Sequence, residues 1–267
     1  MARPAGSPAL SGSRHDDDVT SQAQESERRE QLRGQLAAVR DRIAAACAAV
    51  GRPADEVTLI AVTKTFPASD VAHLAAIGQA DFGENRDQEA APKVAQCAAL
   101  GLSLRWHFVG QLQVNKSASV ARYAEVVHSV DRARLVRALG SHAAAAGRQI
   151  TCLIQVNLDE AAAESAATGG MSRGGAFPGD VCALADEIAA TDGLVLGGVM
   201  AVAPLDVSPR PAFARLRRVA EQVRSAYPGA MMISAGMSGD LDEAIAEGAT
   251  HVRVGTALLG GRPPFVR

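Results

Sequence analysis

The chain has 267 residues, 48% hydrophobic and 21% charged, which suits a large folded core and excludes collagen, coiled coil and wholesale disorder. Lys plus Arg number 27 against 29 Asp plus Glu, and this net charge of −2 offers no electrostatic footprint for nucleic acid or an anionic membrane. No run approaches the roughly 20 apolar residues of a spanning helix, and Met1 to Ser13 lacks the charged-then-apolar order of a signal peptide, so a cytoplasmic protein is expected. Cys47, Cys97, Cys152 and Cys182 lie far apart with no C-x-x-C pair, so they read as buried, reduced residues and not as metal ligands or a disulfide framework.

Residues 1 to 24 are rich in Ala, Pro, Gly, Ser and Asp and poor in large apolar groups, the composition of a disordered tail. From about Ser26, Leu32, Leu36, Val39, Ile43 and Cys47 recur at spacings of four, three, four and four. That stripe predicts an amphipathic helix ending at Gly51 and Pro53. The rest, 25 to 267, reads as one domain. Beyond Pro53 eight short β-branched or apolar runs alternate with Ala-rich helical stretches. The runs are Val57 to Thr63, Ala80 to Gly83, Leu104 to Val109, Val126 to Val130, Cys152 to Val156, Leu194 to Val202, Met231 to Ala235 and His251 to Ala257. Helices are predicted at Ser69 to Ile77, Arg132 to Ala146, Asp180 to Ala190, Pro211 to Tyr227 and Asp240 to Glu247. Eight β-α units, with no glycine-rich turn after the first strand, predict an α/β fold of one (β/α)₈ TIM barrel carrying an extra N-terminal helix.

Active sites on this scaffold form at the C-terminal strand ends. The first strand ends Ala61-Val62-Thr63-Lys64, and alternation puts Lys64 on the face of Ile60 and Val62. An inward ammonium, desolvated at the barrel mouth, would favour the neutral amine that forms a Schiff base with an aldehyde, whereas an outward one would simply snorkel to solvent. After the seventh and eighth strands, Ser234 to Asp240 and Val254-Gly255-Thr256 supply glycines, hydroxyls and a helix N-terminus, the pattern of a barrel phosphate site. Ser238 acting only as a helix N-cap is the simpler reading of the first loop. Between Val252 and Val254, Arg253 faces the barrel interior and needs an acceptor, either a neighbouring carboxylate or a ligand atom such as a pyridine nitrogen. An aldehyde-reactive lysine, a phosphate cradle and an arginine together are what pyridoxal 5′-phosphate (PLP) requires.

Val62-Thr63-Lys64-Thr65, Phe82-Gly83-Glu84-Asn85, the block Trp106 to Lys116, Gly236-Met237-Ser238-Gly239-Asp240 and Val252-Arg253-Val254-Gly255-Thr256 resemble the signatures of the PLP homeostasis protein family. That family is similar in fold to the N-terminal barrel of alanine racemases, a fold-type III PLP-binding barrel. The resemblance spans about Leu32 to Gly261. It implies that Lys64 holds PLP as an internal aldimine and that Ser234, Met237, Ser238, Gly255 and Thr256 surround the cofactor and its phosphate. It also implies that Arg253 faces the pyridine nitrogen and that Asn85 lines the site. His107 is either a structural histidine or a general base, and Met200 a packing wall. The loop Asp159 to Gly175 carries Ser172-Arg173-Gly174-Gly175 where members of the family often have a lysine near a glycine, so no role is carried over to it.

Racemases of this fold add a tyrosine from a C-terminal β-domain as the second acid/base residue. This sequence ends six residues after Gly261, and Tyr123 and Tyr227 fall in helical stretches away from strand ends. The expectation is therefore a PLP carrier or buffer in vitamin B6 homeostasis, without a catalytic residue or a metal. Its expected partners are PLP and PLP-dependent apo-enzymes as recipients, with no nucleic acid or membrane, in a monomer or weak homodimer. A PLP-dependent racemase or decarboxylase, and an aldolase using Lys64 without PLP, are the alternatives.

Overall fold

The computed structural model describes residues 13–159, 174–204 and 207–261, with side chains described from residue 22 onward. Eight parallel strands close into one barrel in chain order. They are β1 (Thr58–Val62), β2 (Asp81–Glu84), β3 (Arg105–Phe108), β4 (Val126–Val130), β5 (Ile150–Gln155), β6 (Leu194–Met200), β7 (Met232–Ser234) and β8 (His251–Val254). Closure is made by β1 against β8, with Thr58 opposite His251 and Ala61 opposite Val254. All eight expected strands are present. The last ends at Val254, three residues before the expected end, because Gly255 turns the chain into a short helix, α9 (Thr256–Leu259).

The intervening helices are α2 (Ala68–Ala76), α3 (Asp87–Ala99), α4 (Ser117–Tyr123), α5 (Ala133–Ala145), α6 (Val181–Ala189), α7 (Pro209–Ala226) and α8 (Leu241–Ala246). Strand alternation divides the side chains into two sets. Leu59, Ala61, Val252 and Val254 point out beneath the helices, whereas Ile60 and Val62 face Gly83 inside the barrel. Part of the bore is apolar, where Met200 packs with Val126 and Leu153 and so acts as a packing residue.

Helix α1 (Ser13–Ala49) lies across the β1–β8 seam, burying the expected stripe of Leu32, Leu36, Val39, Ile43 and Cys47 against Leu59, Val252 and Leu258. Each large apolar side chain in that stripe contributes about 1.5–3 kcal/mol. Arg42 pins the helix to Asp242 of α8, and Arg28 to Asp70 and the Leu259 carbonyl. The helix starts well before Ser26, so residues 13–24 of the segment expected as a tail are helical. Elongation is cheap once the packed part has nucleated, and Gln22, Ala23 and Gln24 join it to that part as good helix formers. Residues 22–27 are exposed, and the first twelve residues of the expected tail lie outside the described residues. Cys47, Cys97 and Cys152 are buried free thiols, but Cys182 is exposed, because it falls beside the Val181, Leu184, Ile188 stripe that α6 buries.

Candidate functional site

A cavity of about 340 Å³ opens at the C-terminal ends of β1, β2, β7 and β8. It is lined by Lys64, Asn85, Met237, Ser238, Arg253, Gly255 and Thr256, seven of the eight residues expected from the sequence, together with Val62, Phe66, Val109 and Val202. Its size is at the small end of ligand pockets.

Lys64 sits in the turn that follows β1, half-buried, with neither an ion pair nor a hydrogen bond among the described residues. The turn beneath it is braced from below. Glu84, the last residue of β2, is fully buried and accepts hydrogen bonds from the Thr63 hydroxyl at 2.7 Å and from Lys93 Nζ at 2.6 Å. Lys93 Nζ also donates to the Thr63 carbonyl at 2.7 Å. On the other side of Lys64, Thr65 adopts φ 69°, a strained conformation for a β-branched residue, and its N–H donates to Glu89 at 3.2 Å. Lys64 is thus held between a buried ion pair and a constrained residue. Asn85 reaches the rim because the loop after β3 passes close over it, and a Cβ on Gly110 would lie 2.0 Å from the Asn85 carbonyl oxygen.

The loops after β7 and β8 meet at one wall, where the Ala257 N–H donates to Ser238 Oγ at 3.3 Å. Asp240 accepts from the Met237 N–H at 2.6 Å and shapes the first loop, and Arg42 holds the Ser238 carbonyl. A Cβ on Gly255 would stand 3.3 Å from the Val62 carbonyl, so a larger residue there would press on the chain that carries Lys64.

Arg253 is nearly fully buried and has no carboxylate partner among the described residues. Its guanidinium donates to Ser234 Oγ at 2.6 Å and to the Ala201 carbonyl at 2.9 Å. Burial lowers its pKa to about 10, opposed by the charge of Asp240, so it is a cation at neutral pH. The acceptor left open by the sequence is thus not a carboxylate among the described residues. Ser234 departs from its expected place. It lies fully buried below the cavity, its hydroxyl shared between Arg253 and His128 Nδ1, because the last residue of β7 points into the bore.

Strand parity resolves the Trp-His-Phe block. Trp106 packs outward on Phe82 beneath the helices, and His107 points into the bore, bonded to Asp81 and His128 and away from the cavity. It is a structural histidine. Tyr123 ends α4 and Tyr227 follows α7, and neither lines the cavity. Residues 160–173 of the loop after β5, Ser172 and Arg173 included, lie outside the described residues, while Gly174 accepts a hydrogen bond from Gln155.

The alanine racemase N-terminal domain family model matches residues 35–263. A pyridoxal phosphate homeostasis protein from Mycobacterium bovis is 43% identical over 253 residues, 88% of this chain and 95% of that one. Its counterpart from Escherichia coli is 37% identical over 85% of this chain and 95% of its own. This chain belongs to the pyridoxal phosphate homeostasis protein family. Among solved structures, Synechococcus elongatus PipY with PLP bound superposes with a TM-score of 0.70 at 34% identity, over 82% of this chain and 100% of PipY.

In this family member the residues that sequence reasoning missed lie mostly under the site. Lys93 falls on the buried stripe of α3, between Ala90 and Cys97, and a lysine on such a stripe signals a buried partner. His128 stands in a strand whose five residues are all buried, which is a similar signal.

Proposed function

We propose that this chain binds PLP in the cavity at the ends of β1, β7 and β8, holds it covalently on Lys64, and serves as a carrier or buffer in intracellular PLP homeostasis. The observation that carries this reading is the meeting, in one small cavity, of a lysine with no partner and a buried arginine with no carboxylate among the described residues. Each has donor capacity that a ligand would meet. Bound PLP supplies an aldehyde, which a neutral lysine amine attacks with loss of one water, and an electron-withdrawing ring. Ser238, Gly255 and Thr256 would receive the phosphate, with glycine admitting close approach. Arg253, a cation at neutral pH, would donate to the ring nitrogen and oppose its protonation. The names of the relatives and the PLP in PipY support the same ligand.

We read the protein as a carrier and not an efficient catalyst, and the described lining supports this: besides Lys64 and Arg253 it contains no histidine, tyrosine, cysteine or carboxylate to act as a second proton-transfer group. Recipients are PLP-dependent apo-enzymes, and the compartment is the cytoplasm, in keeping with three buried unpaired cysteines and with no described helix long and apolar enough to cross a membrane. The test is the absorption spectrum of the protein with PLP, followed by borohydride reduction and peptide mapping. A yellow chromophore attached at Lys64 is expected. Lys64→Ala should abolish it while changing the unfolding free energy of PLP-free protein by less than about 1 kcal/mol. A colourless protein, or attachment at Lys93 or Lys116, would overturn the assignment. Turnover of an amino acid by the pure protein would return it to the racemases or decarboxylases.

A further inference from the structure

The bore of this barrel contains a continuous line of polar side chains where barrels usually pack branched apolar residues. Asp81, the first residue of β2, lies near the N-terminal mouth, and its Oδ1 is 2.9 Å from His107 Nε2. His107 Nδ1 is 2.9 Å from His128 Nε2, and His128 Nδ1 is 2.9 Å from Ser234 Oγ. Ser234 Oγ accepts from Arg253 NH1 at 2.6 Å, and Arg253 lines the cavity at the opposite mouth. His107, His128, Ser234 and Arg253 are all at most 5% exposed.

With each imidazole carrying one proton, the two ends of this line set the direction of every bond. An ionised carboxylate only accepts and a guanidinium only donates. Asp81 is ionised, its carboxyl held below the usual range because the hydrogen bond from His107 and the charge of Arg105 outweigh its burial. His107 must then carry a proton on Nε2, and where that is its one proton Nδ1 is left as an acceptor. His128 must donate from Nε2 and accept at Nδ1, so the Ser234 hydroxyl donates to His128 and its oxygen stays free to accept from Arg253. Burial, with the charge of Arg253, lowers the His128 pKa well below 6.5, which keeps that ring neutral. Each donor has one acceptor, and no proton is left over.

We infer that Asp81, His107, His128 and Ser234 are positioning residues, forming a one-way hydrogen-bond line that pins the Arg253 guanidinium and answers its charge with a carboxylate at the other end of the barrel. Arg253 makes no ion pair among the described residues, and Asp240 acts on it through its charge alone. Polarisation along such a line strengthens each member, so the Ser234 oxygen is a better acceptor than an isolated hydroxyl. The charged and titratable groups facing the line are Arg105, His251 and, at the Arg253 end, Asp240. Arg105 is exposed and bonds Asp81 at 3.2 Å, and the ring of His251 lies 6.4 Å from that of His107. The effect on a bound ligand rests on the PLP reading, but the proton positions do not.

Nitrogen NMR of the two imidazoles in the full chain, first without and then with PLP, reads the line directly. At mildly alkaline pH both rings should carry their proton on Nε2. A proton on Nδ1 of either ring, or a doubly protonated His107, overturns the inference. Asp81→Asn can donate to His107 and should move at least one proton to Nδ1, whereas Arg105→Gln, which removes the exposed ion pairs to Asp81 and Glu125, should move none. In Asp81→Asn, PLP binding should weaken about tenfold, the worth of one net hydrogen bond, with a shifted chromophore band. If the tautomers reverse while affinity and spectrum stay as in the wild type, the line does not position Arg253 and the inference is wrong. If the wild type binds no PLP yet shows both Nε2 protons, the PLP reading fails and the line stands.

Discussion

Replacing Lys93 by Met tests whether the site is held from beneath. Lys93 is 8% exposed and Glu84 not at all, and their 2.6 Å contact carries the two further bonds to Thr63. Removing one partner of a buried pair leaves an uncompensated charge, which costs about 3–5 kcal/mol. Met retains most of the apolar stem of lysine, so packing loss adds little and the lower figure is expected, about 3 kcal/mol. For a chain of this size that loss lowers Tm by about 6–12 °C. Adding Glu84→Gln removes the orphaned charge but keeps an oxygen for the Thr63 hydroxyl, so the double variant should regain most of the loss. Thermal or urea unfolding of the wild type, both single variants and the double variant forms a cycle that isolates the pair. With the Thr63 carbonyl released, the Lys64 turn should also loosen and PLP attachment slow. A loss below about 1 kcal/mol in Lys93→Met, or no recovery in the double variant, would refute the claim that the pair supports this turn.

Two further predictions concern charge in the bore. Burial lowers the pKa of His251 from 6.5 to about 4, and that of His128 also falls. Between these values the unfolded chain binds protons that the folded chain refuses, so stability falls as pH falls below about 6.5, by up to about 1.4 kcal/mol per pH unit for each histidine. His251 alone removes about 3 kcal/mol by pH 4. Urea midpoints measured from neutral pH to about pH 5 should drop steadily, and a flat or rising profile would show that these rings are already charged or exposed in the folded protein. Arg253→Glu places a carboxylate against the Ala201 carbonyl and the Ser234 oxygen, so it should destabilise the protein by about 3–5 kcal/mol, weaken PLP binding and shift the chromophore. Unchanged spectrum and affinity would remove Arg253 from the site.

The strand count, the barrel and the cavity lining were legible because each rests on local rules. The end of β1 brought Lys64 to the mouth, although it stands in the turn past Val62 and not in the alternating strand, alternation within β8 placed Arg253, and the loops after β7 and β8 fall where barrels bind anions. What could not be read locally is which polar residues meet across the bore. Ser234 has the composition of a phosphate ligand, but its hydroxyl is taken by His128, which is 106 positions away in sequence. Neither Asp81 nor His107 reveals alone that it bonds the other, because their pairing depends on the β2–β3 register. The start of α1 was missed for a different reason: the sequence of its first turns carries no apolar stripe, so the pattern that marked the rest of the helix was absent there.

The polar bore and the cavity belong to one design problem. Burying a guanidinium without a carboxylate is costly, and the line through Ser234, His128 and His107 to Asp81 satisfies it only in part, since its charge and its counter-charge stay at opposite ends of the barrel. A ligand that accepts from Arg253 and carries a phosphate against Ser238 and Thr256 therefore relieves more strain in this barrel than it would in an apolar one. Its binding stabilises the folded state in proportion to how far its concentration exceeds Kd, so a carrier of this construction is most robust when loaded and loosens as its ligand is withdrawn.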